Sequence, residues 1–380
     1  MSGESDFGIY VHWPYCAHIC PYCDFNVYRA RGQANVALID AIEKDLAAHA
    51  ARFGKRTARS LFFGGGTPSL LHGDEIARLI DAAARAFTLA SDCEITLEAN
   101  PEDSALFAEQ AAAGVNRFSV GAQALDNAAL KALGRRHDAA SALRAVEAAA
   151  ATGQRVSLDL IYAREGQSTE AWREELTRAL ELPVEHVSLY QLTIEPKTAF
   201  ARRVERGQLT PPDMDAAASL YEATQEICAA AGFSGYEISN HARSEGARSK
   251  HNAIYWQSGD WVGVGPGAHG RMTHEGARYA LEVQRRPADY IDAVAEHGLG
   301  WISETPLTAE ERADEMLMMG LRIAEGVELA FVEALRGRPI NREALAWLIE
   351  QNLIVRDNGR VRLAPAGRLL ANKIAAELAV

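Results

Sequence analysis

Six short β-like runs alternate with alanine-rich helical runs through the first two thirds of the chain, and this alternation limits the fold more than any other feature. The runs between the strands, such as DEIARLIDAAARAF, place apolar residues at helical spacing and charged residues on the other face. Six βα units in succession predict an α/β fold built on a parallel sheet. The β-like runs are FGIYVHW, RSLFFGGG, CEITLEAN, RFSVGAQ, RVSLDLIY and HVSLYQLTI.

The positions of the unusual residues favour a barrel over a flat, doubly wound sheet. Cysteines, glycines, Glu98, Gln123 and Asp159 lie at, or directly follow, the C-terminal ends of the β-like runs. In barrels the active-site residues lie at that end, because the loops that follow the strands meet there. We therefore predict a partial (β/α)6 barrel of the TIM type, with a doubly wound sheet as the alternative.

The chain divides into three predicted parts: residues 1–232 form the barrel, residues 233–304 an extension, and residues 305–380 a smaller unit. The extension is too glycine-rich for a helix and too aromatic for a linker, so we expect it to pack against the barrel. In the last part, helical runs precede two β-like runs around Asn358-Gly359, a hairpin signal. Helices followed by a hairpin predict a winged-helix-like α+β unit.

Charge argues against nucleic acid as a partner. The 380 residues carry 39 Lys and Arg and 51 Asp and Glu, a net charge of −12, whereas a phosphate backbone is bound by Lys and Arg. Residues 305–380 hold 10 Lys and Arg against 11 Asp and Glu, which favours a packing or lid role. Five cysteines do not suggest a disulfide framework, and no secretory signal or membrane-spanning run is recognisable. The expected location is the cytoplasm.

Three of the five cysteines lie within eight positions directly after the first β-like run. Cys16, Cys20 and Cys23 have the spacing C-x3-C-x2-C. Structural zinc sites use four ligands, commonly as two separated pairs, and no second pair exists because Cys93 and Cys228 stand alone. A closed iron–sulfur cluster also takes four cysteines, so three would leave one iron open to a small molecule. An accidental grouping is the remaining alternative.

Residues at the ends of the next β-like runs are ambiguous when taken singly. Gly65, Gly66 and Thr67 end the second run, where glycines allow a ligand to approach the backbone closely. A glycine turn after a strand is nevertheless common, and Glu98, at the end of the third run, could equally be a solvated carboxylate. Only their joint order along the chain, with the cysteines first, indicates a common site.

In its cysteine spacing the chain resembles the radical S-adenosylmethionine (SAM) enzymes, in which C-x3-C-x2-C follows a strand. The resemblance implies that the three cysteines bind a 4Fe-4S cluster and that SAM binds the fourth iron through its amino and carboxylate groups. In that superfamily an electron from the cluster, supplied by an electron donor, cleaves SAM to a 5′-deoxyadenosyl radical. The residues that match SAM contacts by their order are Tyr10, Tyr22, Gly65, Gly66, Thr67, Glu98, Gln123, Arg135 and Asp159.

Over essentially its whole length the chain is similar to a narrower group, the oxygen-independent coproporphyrinogen dehydrogenases and the related HemW-type haem chaperones. Three features resemble the chaperones: Phe25 instead of a further cysteine, a first cysteine as early as residue 16, and H-N-x-x-Y-W at residues 251–256. The resemblance implies a chain that binds haem and delivers it to apoproteins of the respiratory chain. His251 is the implied haem ligand, since neutral imidazole is a common axial ligand of haem iron.

The same resemblance implies a homodimer around cluster or haem, and a location in the cytoplasm or peripherally at the membrane. The alternative function is the dehydrogenase reaction, oxidative decarboxylation of the propionates of coproporphyrinogen III, so whether the chain is an enzyme stays open. A regulatory binding module that uses residues 305–380 is a third and weaker hypothesis.

One loop departs from the group. DLIYAREGQS stands where the related proteins have DLIYGLPGQT, so that Ala163, Arg164, Glu165 and Ser168 replace Gly, Leu, Pro and Thr. The loss of glycine and proline removes two residues that restrict loop geometry. The sequence therefore gives no prediction for this loop or for ligand contacts beyond Asp159.

Overall fold

The chain folds around one large sheet, and the computed structural model describes residues 6–32 and 35–379. Two smaller sheets lie elsewhere within these residues, one near the N-terminus and one near the C-terminus. The strands of all three sheets are Phe7–Trp13 (β1), Tyr15–Cys16 (β2), Tyr28–Arg29 (β3), Thr57–Gly65 (β4), Thr88–Ala99 (β5), Arg117–Gln123 (β6), Arg155–Tyr162 (β7), His186–Gln191 (β8), Ser234–Gly235 (β9), Asn240–Ala242 (β10), Asp260–Val264 (β11), His269–His274 (β12), Ala277–Val283 (β13), Trp301–Pro306 (β14), Val327–Glu328 (β15), Ile354–Asp357 (β16) and Arg360–Leu363 (β17).

Helices separate most of these strands. Within the described residues, no helix is both long enough and apolar enough to cross a lipid bilayer. The α-helices are Val36–Phe53 (α1), Gly73–Ala86 (α2), Phe107–Ala112 (α3), Asn127–Ala132 (α4), Ala139–Ala151 (α5), Thr169–Leu180 (α6), Ala199–Glu205 (α7), Met214–Ala230 (α8), Lys250–Trp256 (α9), Pro287–His297 (α10), Ala309–Gly320 (α11), Leu329–Arg336 (α12), Arg342–Glu350 (α13) and Ala371–Ala379 (α14). The 3-10 helices are Pro68–Leu70, Pro101–Leu106, Glu245–Ala247 and Pro365–Leu370.

The centre of the large sheet follows chain order. Strands β1, β4, β5, β6, β7 and β8 are successive neighbours, and every pair among them is parallel. A doubly wound sheet reverses its strand order at a switch point, so this order excludes that alternative. The predicted α/β fold with six βα units of a partial barrel is confirmed.

The glycine- and aromatic-rich segment extends the sheet at both edges. Strands β10 and β9 continue the sheet beyond β8, and β11 to β14 continue it beyond β1. The expectation that this segment contains no helix is wrong, because residues 247–257 include no glycine and the Ser249 side chain accepts the backbone N–H of Asn252 to cap α9. The division at residues 232 and 304 stays a prediction.

The C-terminal unit has a hydrophobic core of its own. Its buried residues come from α11 to α14 and from the sheet β15–β17–β16. Asn358 and Gly359 form the two-residue turn of the β16–β17 hairpin with φ angles of 48° and 84°. Positive φ at both central residues is the type I′ geometry that Asn-Gly favours, which is why the sequence predicted this turn. The predicted smaller α+β unit is confirmed.

The loop after β7 is ordered by contacts that its unusual residues make. The Arg164 guanidinium forms a largely buried ion pair with Glu175, and Glu175 Oε1 accepts the backbone N–H of Leu125 at 2.6 Å. Ser168 Oγ accepts the N–H of Ala171 at 3.2 Å and caps α6. Ala163, which replaces the usual glycine, is fully buried and has a φ of 58°, in the left-handed region.

Replacing Ala163 by Gly should stabilise the protein. A residue with a Cβ is strained in the left-handed region, and the relief exceeds the entropy that glycine loses on folding, so the free energy of unfolding should rise by about 0.5–1 kcal/mol. Urea denaturation measures this. Ala47→Gly, at an exposed position inside α1, should instead lower that free energy by about 1 kcal/mol. A lower free energy of unfolding in Ala163→Gly would show that the backbone at Ala163 is not strained.

Candidate functional site

The three clustered cysteines lie at the end of the barrel where the parallel strands terminate. Cys16 ends β2 and is buried, whereas Cys20 and Cys23 on the following loop are partly buried. All three are free thiols that line one cavity of about 350 Å³, here called the cysteine cavity. Eight predicted SAM-contact residues line the same cavity: Tyr22, Gly65, Gly66, Thr67, Glu98, Gln123, Arg135 and Asp159.

The chemistry of the cysteine cavity fits a 4Fe-4S cluster. Burial raises the pKa of Cys16 and raises that of Cys23 to about 11, and a bound cation would favour the thiolate form that ligates iron. In the described part of the chain, no three His, Cys, Asp or Glu side chains converge on one metal-ion position. A cubane cluster needs no such convergence, because each thiolate binds a different iron.

Arg135 connects the cysteine cavity to the end of β5. Its Nη1 donates to Cys20 Sγ at 3.4 Å, and its Nη2 donates to Asn100 Oδ1 at 2.6 Å. Gly134 permits this approach, because its φ is 70° and a Cβ there would lie 2.5 Å from Cδ of Pro21 in the cysteine loop. A positive charge is therefore fixed beside one of the three thiols.

Asn100 extends this network to a second thiol. Its Nδ2 donates to Thr67 Oγ1 at 3.3 Å, and the hydrogen bond between Thr67 and Cys16 partly opposes the effect of burial on the Cys16 pKa. Sequence reasoning missed Asn100. Its position two residues after Glu98, at the same strand end, was the available signal, but only the fold brings it to Arg135.

The glycines after β4 serve first to bring two strand ends together. The backbone N–H of Gly66 donates to the carbonyl of Trp13 at 2.7 Å, and a Cβ on Gly66 would lie 2.8 Å from that oxygen. Gly65 has a φ of 104°, and its N–H donates to Glu98 Oε2 at 3.0 Å. The Gly65 N–H is therefore engaged by a side chain of this chain, although both glycines line the cavity.

Glu98 and Asp159 are two carboxyl groups on the wall of the cysteine cavity. Burial, with a smaller effect of the Asp159 charge, raises the pKa of Glu98 to about 7. Burial raises the pKa of Asp159 to about 6. Ser119 donates to Asp159 Oδ2 at 2.9 Å, and Ser188 lies close enough to lower this pKa, but Oδ1 is buried with no donor in hydrogen-bonding geometry. An unsatisfied buried acceptor fits a ligand that brings a hydroxyl or amino group.

Two aromatic residues predicted to contact SAM lie in different cavities. The Tyr22 hydroxyl lies beside Cys20 and Arg135 in the cysteine cavity. Tyr10 lies instead in a second cavity, and its hydroxyl donates to His12 Nδ1 at 3.0 Å, while His12 Nε2 donates to the Asn26 carbonyl at 3.0 Å. Sequence reasoning left His12 unassigned.

Gln123 ends β6 in a strained conformation. Its φ is 66°, in the left-handed region that residues other than glycine seldom adopt. Its amide folds back over Gly121, where a Cβ would lie 2.8 Å from Gln123 Nε2. Strain of this kind clusters at functional sites, which is consistent with the predicted role of Gln123.

A second and larger cavity of about 640 Å³ lies inside the partial barrel and is here called the barrel cavity. It shares a wall with the cysteine cavity that includes Phe25, Glu98 and Asp159. TIM barrels usually fill this space with branched apolar side chains, but here small hydroxyl residues leave it open. The hydroxyl residues that line it from the strands are Thr96, Ser119, Ser157 and Ser188.

His251 lies on α9 at the wall of the barrel cavity, with both ring nitrogens already engaged. Nδ1 lies 2.7 Å from Ser60 Oγ, and Nε2 lies 2.5 Å from the Tyr255 hydroxyl. The ring stacks on Phe62 with 4.9 Å between centroids. Burial lowers the pKa of His251 to about 3, so the imidazole is neutral at physiological pH. A bound iron would have to displace one of these two hydroxyls.

Comparison with known sequences identifies the family. A profile of the Radical SAM superfamily matches residues 10–179, and a profile of the HemN C-terminal domain matches residues 307–370. The "Heme chaperone HemW" of Mycobacterium tuberculosis H37Rv is 37% identical over 380 aligned positions, which cover 98% of this chain and 95% of that protein. The Escherichia coli protein of that name is 34% identical over 373 positions, covering 96% of each. The chain belongs to the HemW family of the radical SAM superfamily.

Two further proteins are similar to this chain, one in sequence and one in structure. The bovine mitochondrial "Radical S-adenosyl methionine domain-containing protein 1" is 41% identical over 332 positions, which cover 86% of this chain and 75% of that protein. Coproporphyrinogen III oxidase (HemN) of Escherichia coli superposes with a TM-score of 0.82 over 99% of this chain and 91% of that chain. At 22% identity this match establishes the fold alone. Membership of the radical SAM superfamily implies a 4Fe-4S cluster and SAM as cofactors.

Replacing Arg135 by Gln in this HemW-family protein should make the cluster harder to reduce. A charge-assisted donor to a cluster sulfur stabilises the more negative, reduced state. Since such a bond contributes on the order of 1.5–3 kcal/mol, the ratio of reduced to oxidised cluster at a fixed potential should fall about tenfold. Anaerobic redox titration with electron paramagnetic resonance measures this. Arg136→Gln, at the exposed neighbouring residue, should leave the reduction potential unchanged. An equal potential in both variants would show that Arg135 does not affect the cluster.

Glu98 and Asp159 should make the cluster-free protein less stable as the pH rises above 5. Their raised pKa values mean that the folded state retains protons that the unfolded chain has lost, so the free energy of unfolding falls as the pH rises through 6 and 7. Glu98→Gln should remove a decline on the order of 2 kcal/mol between pH 5 and pH 8. Urea denaturation across this range measures it, with Glu102→Gln as a partly exposed control. Parallel pH profiles for both variants would contradict the assignment.

Proposed function

We propose that this HemW-family chain is a haem chaperone that binds haem as cargo in the barrel cavity and delivers it to apoproteins. The observation that carries the proposal is that the H-N-x-x-Y-W residues His251, Asn252 and Tyr255 line a cavity of about 640 Å³ that adjoins the cysteine cavity. Its volume falls within the range of cofactor sites. Relatives that share most of the chain's length are named heme chaperones, which supports the same conclusion.

The aromatic surroundings of His251 suit a flat, largely apolar ligand. Tyr10, Phe62 and Tyr255 surround the imidazole, with ring centroids 6.2, 4.9 and 4.6 Å away. The neutral imidazole is ready to bind iron, and Nε2 can do so once the Tyr255 hydroxyl moves away. Haem binding at His251 therefore includes the exchange of one hydrogen bond for one iron–nitrogen bond.

We assign the cysteine cavity to the cofactors of the superfamily. Cys16, Cys20 and Cys23 would bind the cluster, which supplies an electron to SAM when it is reduced. Asn100 holds Arg135 in place, and Arg135 puts positive charge beside the Cys20 thiol, while the buried Asp159 Oδ1 has no hydrogen-bond donor among the described residues. The proposed SAM contacts in this cavity are Tyr22, Gly65, Gly66, Thr67, Glu98, Gln123, Arg135 and Asp159, whereas Tyr10, the ninth predicted contact, lines the barrel cavity instead.

The dehydrogenase reaction is the second candidate, because the SAM-contact residues it would need are all present. Phe25 disfavours it: this side chain is 62% exposed at the junction of the two cavities, where the dehydrogenases have a further cysteine. The proposed partners are haem-accepting apoproteins of the respiratory chain, an electron donor for the cluster and a second copy of the chain. The proposed location is the cytoplasm, including the membrane surface.

Replacing His251 by Ala should weaken haem binding on the order of tenfold or more, because the iron loses its axial ligand. Tyr255→Phe should bind haem at least as tightly as the wild type, since it frees Nε2 without removing the ring. Absorbance titration of the Soret band measures both affinities. His18→Ala, an exposed histidine in the cysteine cavity, is the control and should bind haem normally.

One outcome would overturn the assigned ligand, and another would overturn the function. Haem bound equally by the wild type and His251→Ala would exclude His251 as the ligand. Steady formation of protoporphyrinogen from coproporphyrinogen III by the anaerobically reconstituted protein with SAM would favour the dehydrogenase. Thermal melts of each variant separate lost binding from lost folding.

A further inference from the structure

The outer edge of the barrel cavity carries one arginine whose charge is not paired with any of the residues that the structure describes. This edge, here called the rim, is formed by partly or fully exposed residues that also line the cavity. They include Phe25, Asn26, Trp261, Gly267, His269 and Arg285, and the exposed carboxyl group of Asp24 lines the cavity next to Phe25. Within residues 6–32 and 35–379, the Arg285 guanidinium makes neither a hydrogen bond nor an ion pair.

Two other arginines, the adjacent one in the sequence and the other one in the cavity, both form ion pairs. Arg286, the next residue, pairs with Asp289 at 3.1 Å, and Arg117, the other arginine of the barrel cavity, pairs with Glu94 at 3.0 Å. Glu282 lies opposite His269 in the β12–β13 pairing but makes no ion pair with Arg285. The unpaired positive charge of the cavity wall is therefore concentrated at the rim.

The backbone of Arg285 is fixed in place by the segment that follows the cysteines. Asn26 Nδ2 donates to the Arg285 carbonyl at 2.8 Å, and the Tyr28 hydroxyl donates to the same oxygen at 3.1 Å. The adjacent Gln284 N–H donates to the Gly300 carbonyl at 2.8 Å. The backbone of Arg285 is therefore held in place, and its exposed side chain starts from a fixed point at the rim.

Charge also sets the orientation of an acidic ligand in this cavity. Glu98 and Asp159 lie on the wall shared with the cysteine cavity, and their raised pKa values reflect the cost of negative charge there. A ligand carboxylate would add to that cost on the inner side. At the rim it would meet Arg285, whose planar guanidinium suits bidentate recognition of carboxylate.

We propose that Arg285 is the carboxylate-binding residue of the barrel cavity and receives a propionate group of haem. This inference rests on the proposed function, because it takes haem as the occupant of the cavity. The macrocycle lies against the aromatic residues around His251, and its acidic edge faces the solvent at the rim. Arg285 thereby selects a porphyrin that carries free carboxylates.

A comparison of two ligands with three proteins tests this role. Haem and haem dimethyl ester, in which both propionates are esterified, are titrated into the wild type, Arg285→Gln and Arg286→Gln under one detergent condition. We expect the wild type and Arg286→Gln to bind haem about tenfold more tightly than the ester, and Arg285→Gln to bind both ligands equally. Arg285→Lys, which keeps the charge but not the planar fork, should retain part of the preference.

The outcomes separate this inference from the proposed function. If the wild type binds haem but shows no preference over the ester, or if Arg285→Gln keeps the preference, Arg285 is not the carboxylate partner although haem is still the cargo. If the wild type binds neither ligand, the proposed function fails and this inference fails with it. Because Arg285 is exposed, we expect both of its variants to melt at the wild-type temperature.

Discussion

The site depends on one close backbone contact between the end of β4 and the chain that leaves β1. The N–H groups of Gly66 and Thr67 donate to the carbonyls of Trp13 and Tyr15 at 2.7 and 2.9 Å. Any Cβ on Gly66 would collide with both carbonyl oxygens, so a side chain there would displace the segment that leads to Cys16. Parallel pairing of β1 with β4 delivers the two segments to the same edge, and glycine lets them touch. The thiols, and with them the cysteine cavity, take their position from this contact.

A second constraint is a buried carboxylate that joins the barrel to α9. Glu94 Oε2 accepts from Arg117 and Arg155, each at 3.0 Å, and its Oε1 accepts the backbone N–H of Lys250 at 2.9 Å. Such a carboxylate is stable out of water only because four donors surround it, the fourth being the N–H of His251. Glu94 therefore fixes the first residues of α9, and with them the position of His251 at the wall of the barrel cavity. Small hydroxyl residues on the strands above it leave the space that the barrel cavity occupies.

Features that depend on residues close together in the sequence were predictable, whereas contacts between residues far apart in the chain and the directions of side chains were not. Alternating runs gave the parallel strands, Asn358-Gly359 gave the hairpin, and strand ends gave the residues that meet in the cysteine cavity. The contact of His251 with Ser60 joins residues 191 positions apart, and no spacing along the chain encodes it. Tyr10 was expected with the SAM-contact residues, but its direction on β1 points it at His12 in the barrel cavity. The roles of these residues toward cluster, SAM and haem stay predictions.

The two cavities are electrostatically coupled because Glu98 and Asp159 belong to both. A cation in the cysteine cavity, such as the sulfonium of SAM, would favour the ionised forms of these carboxyl groups and lower their pKa values. Ionised carboxylates on the shared wall would in turn repel the propionates of a ligand in the barrel cavity more strongly than protonated ones. The sulfonium charge would at the same time attract those propionates, so the position of the ligand's acidic edge depends on the net charge of the wall that the two cavities share. The charge of this shared wall therefore links the occupants of the two cavities.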